Sequence, residues 1–126
     1  MADVSALLHP IRPDAPAGDD LRNVDNTIGE VKEHRRRDNP LMPNPKEADY
    51  KSAANVAIAA LSNRTKDLEI AAYLVESQTR LEGLSGLRDG LELLLGLVEQ
   101  FWPHLYPGIE IENGQPVIFH PLRGYR

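Results

Sequence analysis

The 126-residue chain has no cysteine, which excludes disulfides, thiolate metal sites and a cysteine nucleophile. That composition suits a reducing compartment, and the expected location is the cytoplasm. Aromatic residues make up 6% of the chain, with one tryptophan, so a core must be built mainly from aliphatic side chains. Long apolar runs are absent too. Aliphatic runs such as Leu93 to Leu95 and Val56 to Leu61 are far below the roughly 20 residues of a membrane span, and no direct membrane insertion is expected. The opening MADVSALLHPIRPDAP has no basic leader before an apolar stretch and reaches proline within ten residues; it does not read as a secretory signal. Basic charge is not in excess: 14 Lys and Arg against 19 Asp and Glu give a net charge of −5. No nucleic-acid partner is therefore expected, because such binding needs a basic face that releases phosphate counterions. Proteins are the expected partners.

What the chain does have is helical periodicity. By length it is one domain with room for a core. From Thr65 to Pro107, apolar residues recur at Leu84, Leu87, Leu91, Leu94, Val98, Phe101 and Leu105, with a second row at Leu93, Leu97 and Phe101. Steps of three and four line one side of a helix. The pattern predicts antiparallel helices over Thr65–Glu82 and Ser85–Trp102, capped by Thr65 and Ser85 and separated by a left-handed Gly83. The row through Leu91 is the expected core. Pro103 should stop the second helix at Trp102.

Elsewhere, residues 2 to 8 could form one or two helical turns. Pro10 to Leu21 holds three prolines and a glycine and should be extended, polyproline-like and laid over Trp102 and Tyr106. A surface helix capped by Asp25 or Asn26 should run to about Arg37, and residues 38 to 46, with three more prolines, should be a loop. A helix from Glu47 or Ala48 to about Asn63 should turn Tyr50, Ala54, Ala57, Ile58 and Leu61 inward. Asn113-Gly114 could make a hairpin turn, but its strands would be a few residues long. The expected fold class is all-α: a compact bundle of four to six helices around a long antiparallel hairpin.

Chemistry is harder to find. The four histidines, His9, His34, His104 and His120, never fall at metal-ligand spacing on a helix. No metal and no cofactor are expected. Asp19-Asp20 reads first as a helix cap, though a hydrolase using either with His104 would need only that they converge. There is no GxSxG. Arg35-Arg36-Arg37 is flanked by Glu30, Glu33 and Asp38 without interleaved aromatics, and reads as a solvated helix end. Gly83, Gly86 and Gly90 have no preceding strand to present them to a phosphate and read as helix-packing residues. Phe101, Trp102 and Tyr106 form an aromatic cluster read as sealing the core, with a protein interface as the alternative.

Four stretches together resemble one known family: Pro13-Asp14-x-Pro16-x-Gly18-x-Asp20-Leu21, Lys66-Asp67-Leu68, Gly83-Leu84-x-Gly86-Leu87-x-Asp89-Gly90 and Trp102-x-x-Leu105-x-Pro107, followed by a closing PLRGY. They resemble the ImpA-type N-terminal domain of the type VI secretion TssA family over nearly the whole chain, from Pro10 to about Gly124. Members often open the helix near Glu47 with a tryptophan, where this chain offers Tyr50. The resemblance implies a non-enzymatic, cytoplasmic assembly component contacting baseplate, sheath and tube proteins. It also implies a domain belonging to a longer protein whose C-terminal region forms a ring. The isolated domain should then be a monomer or a small symmetric dimer, because no sustained heptad is expected to stay free. A helical scaffold unrelated to secretion would share the same core, and stays open.

Overall fold

The computed structural model describes residues 4–107, 110–112 and 115–117. Asn113-Gly114, His120 and the closing PLRGY lie outside them. Among the described residues, five helices follow in order: α1 (Val4–Leu7), α2 (Thr27–Arg35), α3 (Tyr50–Asn63), α4 (Leu68–Glu82) and α5 (Leu84–Phe101), with a 3₁₀ turn at Leu21–Asn23. Two three-residue strands, β1 (Glu110–Glu112) and β2 (Gln115–Val117), pair antiparallel with Glu110 opposite Val117. The fold is all-α apart from this small ladder.

The starts of α2, α3 and α4 follow the side chains that satisfy free N–H groups of the first turn. Asp49 accepts from Ser52 N at 3.0 Å and Ser52 Oγ at 2.7 Å, so α3 begins at Tyr50 rather than near Glu47. Asp67, not Thr65, caps α4: its Oδ1 accepts from Glu69 N at 2.8 Å and Ile70 N at 3.2 Å. Among the described residues, the buried Thr65 hydroxyl has no hydrogen-bond partner. Asp25 Oδ1 accepts from both the amide and the hydroxyl of Thr27, and α2 stops at Arg35, two residues short of expectation, because Arg36 is extended. Ser85 does not cap α5. Its hydroxyl donates back to Glu82 O at 3.2 Å, and the whole link between α4 and α5 is Gly83, at φ 68°. That backbone conformation favours glycine.

The helices α4 and α5 form the expected hairpin. A side chain at Gly86 would strike the carbonyl of Gln78, and one at Gly90 would come within 2.8 Å of Val75. Contacts that advance along one helix retreat along the other, so the pair is antiparallel. Farther along, Gly96 admits Leu8, which follows α1, as a Cβ there would lie 2.5 Å from its methyl. The face of α5 that meets its neighbours is therefore Gly86, Gly90, Leu93, Gly96, Leu97 and Phe101. These pack with Ile70, Ala71 and Leu74 of α4, Ala57, Ala60 and Leu61 of α3, and Leu7 and Leu21.

This corrects the expected core. Phe101 and Leu105 of the first row are buried and Leu87 and Leu94 are half-buried, but Leu84, Leu91 and Val98 are exposed. The second row, Leu93, Leu97 and Phe101, is the one inside. Glycine adds nothing to an apolar pattern, yet it brings backbones together, so the face richest in leucine was not the face in contact. On α4, Ala72 and Leu81 are likewise exposed. On α3, Ala54, Ala57 and Leu61 are buried as expected, with Tyr50 and Ile58 half-buried.

Candidate functional site

The segment Thr65-Lys66-Asp67 is enclosed and links the N-terminal segment to the end of the chain's helical part. Lys66 N donates to Ala17 O at 2.7 Å, Tyr106 N to Lys66 O at 3.0 Å and Leu68 N to Tyr106 O at 2.7 Å. The Lys66 amine donates to Leu7 O at 2.6 Å and Leu61 O at 2.7 Å, and lies 5.4 Å from the Phe101 ring centroid. Those carbonyls stand in the last turns of α1 and α3, where a cation is favoured. Burial pushes the amine down to about 8. The buried Asp67 carboxylate is matched by Arg22, whose Nη1 donates to Oδ2 at 2.6 Å. The same guanidinium reaches Asp20 at 3.1 Å and Glu69 at 2.5 Å. Partial burial opposes its charge, but these carboxylates hold Arg22 above its ordinary pKa. The network continues along α2 and α4: Glu69 accepts from the Tyr73 hydroxyl, and Arg35 clasps Glu76 at 2.5 and 2.6 Å.

The motif residues divide between this node and the hairpin. Pro13, Asp14 and Pro16 lie exposed in the N-terminal segment, which has no helix but bends through turns instead of running extended. Ile11 N donates to Pro16 O and Gly18 N to Ala15 O. Gly18 is buried at φ 72°, against the carbonyl of Arg64. Asp20 caps the turn that buries Leu21. Leu68, Leu87, Asp89 and Pro107 are half-buried, Leu105 is buried, and Gly83 and Leu84 are exposed. Tyr106 donates its hydroxyl to Gly18 O at 3.1 Å, so the N-terminal segment covers Tyr106. It does not cover Trp102, which is 45% exposed and does not seal the core. Phe101 and Leu105 do that.

No catalytic constellation forms from the residues singled out. Asp19 is paired with Arg12 at 3.0 Å, Asp20 with Arg22, and no hydrogen bond or ion pair among the described residues joins either to the exposed His104. No group of three His, Asp or Glu among the described residues could hold a metal ion. Of the three arginines, Arg35 binds Glu76, Arg36 binds Glu33 and Asp38, and Arg37 is exposed with no hydrogen bond or ion pair among the described residues.

Two open surfaces stand out among the described residues. One is a cleft of about 330 Å³ between the proline-rich loop and α4, lined by Arg37, Pro40, Pro45, Glu47, Tyr50 and Arg80 among others. Its loop is fastened at the neck, where Asp38 N donates to Lys46 O and the Lys46 amine to Arg36 O, both at 2.8 Å. Arg80 lies 5.6 Å above the Tyr50 ring. The other is the outer face of α5, where Leu84 is 84% exposed, Leu91 53% and Leu95 59%, with Val98 and Trp102 beyond. Sequence reasoning missed both, along with the hub role of Arg22. The signal for the α5 face was present in its sevenfold spacing, which the expectation that no heptad stays free had set aside. No helix among the described residues is long and apolar enough to cross a membrane.

The described fold is an all-helical domain built on the α4–α5 hairpin and closed by the buried Lys66-Asp67 node. Residues 8–120 match the family described as "ImpA, N-terminal, type VI secretion system", and the chain belongs to it. It is 33% identical over 124 residues to the type VI secretion system component TssA1 of Pseudomonas aeruginosa, covering 94% of this chain and 36% of that protein. A solved structure is also similar: the N-terminal domain, including the conserved ImpA_N region, of the TssA component from Burkholderia cenocepacia. It matches with a TM-score of 0.77 and 35% identity over 88% of this chain and 41% of that one. The chain thus spans about a third of its curated relative.

Proposed function

We propose that this chain is the protein-interaction domain of a TssA-like, non-enzymatic assembly component, acting in the cytoplasm as part of a longer protein that contacts baseplate, sheath and tube components. Family membership supports the secretion role. The observation that carries the non-enzymatic reading is that the two chemistry-bearing motif residues at the centre, Lys66 and Asp67, are enclosed and bonded within the fold. Groups used in this way hold a frame; they do not meet a substrate.

The cleft beside Tyr50 is the surface best suited to a machine component. Arginine and tyrosine are among the side chains that most often dominate interface energetics, and Arg37, Tyr50 and Arg80 all line the cleft. Capture by the full-length protein tests the reading. Wild type should recover baseplate, sheath or tube proteins, and Tyr50→Ala with Arg80→Glu should lose at least one of them while keeping the wild-type melt. Recovery of none by wild type would favour a scaffold unrelated to secretion.

A further inference from the structure

The outer face of α5 has a pattern that its own fold does not use. Leu84, Leu91 and Val98 are seven apart, and Arg88, Leu95 and Trp102 are seven apart and offset by four, which are the d and a positions of nearly three heptads. All six are exposed, and Arg88 is the single polar member. Glu92 and Glu99 follow the same spacing along one flank, and neither makes a hydrogen bond or ion pair among the described residues. The ion pair at Arg88 is a loose one, 3.6 Å to its neighbour Asp89.

We propose that this face pairs with a second copy of the chain, α5 against α5, antiparallel about a two-fold axis level with Leu93. The charges select this occupant and this direction. In that register Leu84 meets Trp102 of the second copy, Leu91 meets Leu95, and Arg88 lies level with Val98 and next to Glu99, twice over by symmetry. A two-fold operation keeps each flank on its own side, so Arg88 and Glu99 are brought together. Pairing the helices in parallel would set Arg88 beside Arg88 in the seam. The same symmetry brings Glu92 of each copy close to the axis on that flank, so one like-charge pair weakens the contact. One helix from each copy is a small interface, and dissociation at roughly 10–100 μM is expected. Carriage on a longer protein would raise the effective concentration.

Sedimentation of the 126-residue chain from micromolar to several hundred micromolar tests this. Wild type should pass from monomer to dimer and no further. Arg88→Glu should weaken the dimer at least tenfold, and Arg88→Glu combined with Glu99→Arg should restore it, which a merely misfolded variant could not do. Glu92→Gln should tighten it severalfold. A chain that stays monomeric throughout, a dimer insensitive to Arg88→Glu, or one not restored by the exchanged pair would overturn the proposal, as would a species larger than two. None of these readouts involves capture of secretion components, so the two proposals stand or fall separately.

Discussion

The Lys66 amine donates to the Leu7 carbonyl across 59 positions of sequence, at 2.6 Å. This bond and its twin to Leu61 O at 2.7 Å fasten α1 and α3 to the entrance of α4 with one side chain. The cation has no carboxylate within ion-pair distance among the described residues, so it is held by helix-end carbonyls and an aromatic face alone.

Lys66 should therefore titrate apart from the other lysines. Its folded pKa, about 8, lies below the ordinary value near 10.4. Between those values the unfolded chain holds a proton that the folded chain has released, so this residue's contribution to stability rises with pH across that window and is flat below it. Carbon NMR of the lysine Cε should show one resonance moving near pH 8, and Lys66→Met should remove that part of the pH dependence. Lys66→Ala, which also empties the space filled by the stem, should cost about 2–4 kcal/mol.

Removing Arg22 leaves the buried Asp67 carboxylate with only backbone donors. Breaking a buried pair costs about 3–5 kcal/mol, and because the Arg22 side chain is partly solvated the expected loss for Arg22→Ala is about 2–3 kcal/mol. Urea denaturation at pH 7 measures it. A change within error of zero would mean that the node is not a cohesive unit.

Acid should loosen the surface network. Hydrogen bonds from Thr27 and the Arg64 guanidinium hold Asp25 down at about 2, and Arg35 holds Glu76 below its usual range. Each folded value lies below its unfolded one, so the stability they add is complete above the unfolded pKa and is lost as pH falls through the folded one. Stability should decline as the pH falls from about 4 to about 2, and Asp25→Asn should flatten the lower part of that decline.

Leu91 and Leu93 are two residues apart and should respond in opposite ways. Leu93→Asp places an unpaired carboxylate in the core and should cost several kcal/mol out of a total of roughly 5 to 15, enough to unfold the domain. Leu91→Asp alters an exposed side chain and should shift the melt of the dilute chain by no more than about 0.5 kcal/mol. If Leu91→Asp unfolded the chain instead, the leucine-rich row would be the core after all.

Gly86 and Gly83 should separate steric from backbone effects. An alanine at Gly86 meets the Gln78 carbonyl, and backbone cannot give way cheaply; about 1–3 kcal/mol or more is expected. At Gly83 nothing lies within 4 Å of the added carbon, and the backbone conformation alone, φ 68° with ψ −138°, should cost about 1–3 kcal/mol. Thermal melts of the two variants would rank them.

Much of this was determined by the sequence alone. Local signals fixed the helical class, the hairpin with its turn at Gly83, and the breaks at the prolines, because propensity, capping and proline sterics act within a few residues. Tertiary structure decided which side of α5 faces in. A pattern of leucines cannot rank two adjacent rows, and the deciding side chains were glycines, whose contribution is the distance they permit rather than the area they bury. It also decided that Arg22 serves three carboxylates, since that depends on a segment some 45 residues away folding back over the helix start. Lys66 looked like any lysine before a helix. Only the assembled ends of α1 and α3 make it a buried cation, and only the packing of α4 and α1 on the glycine side leaves the heptad of Leu84, Leu91, Leu95 and Val98 facing solvent.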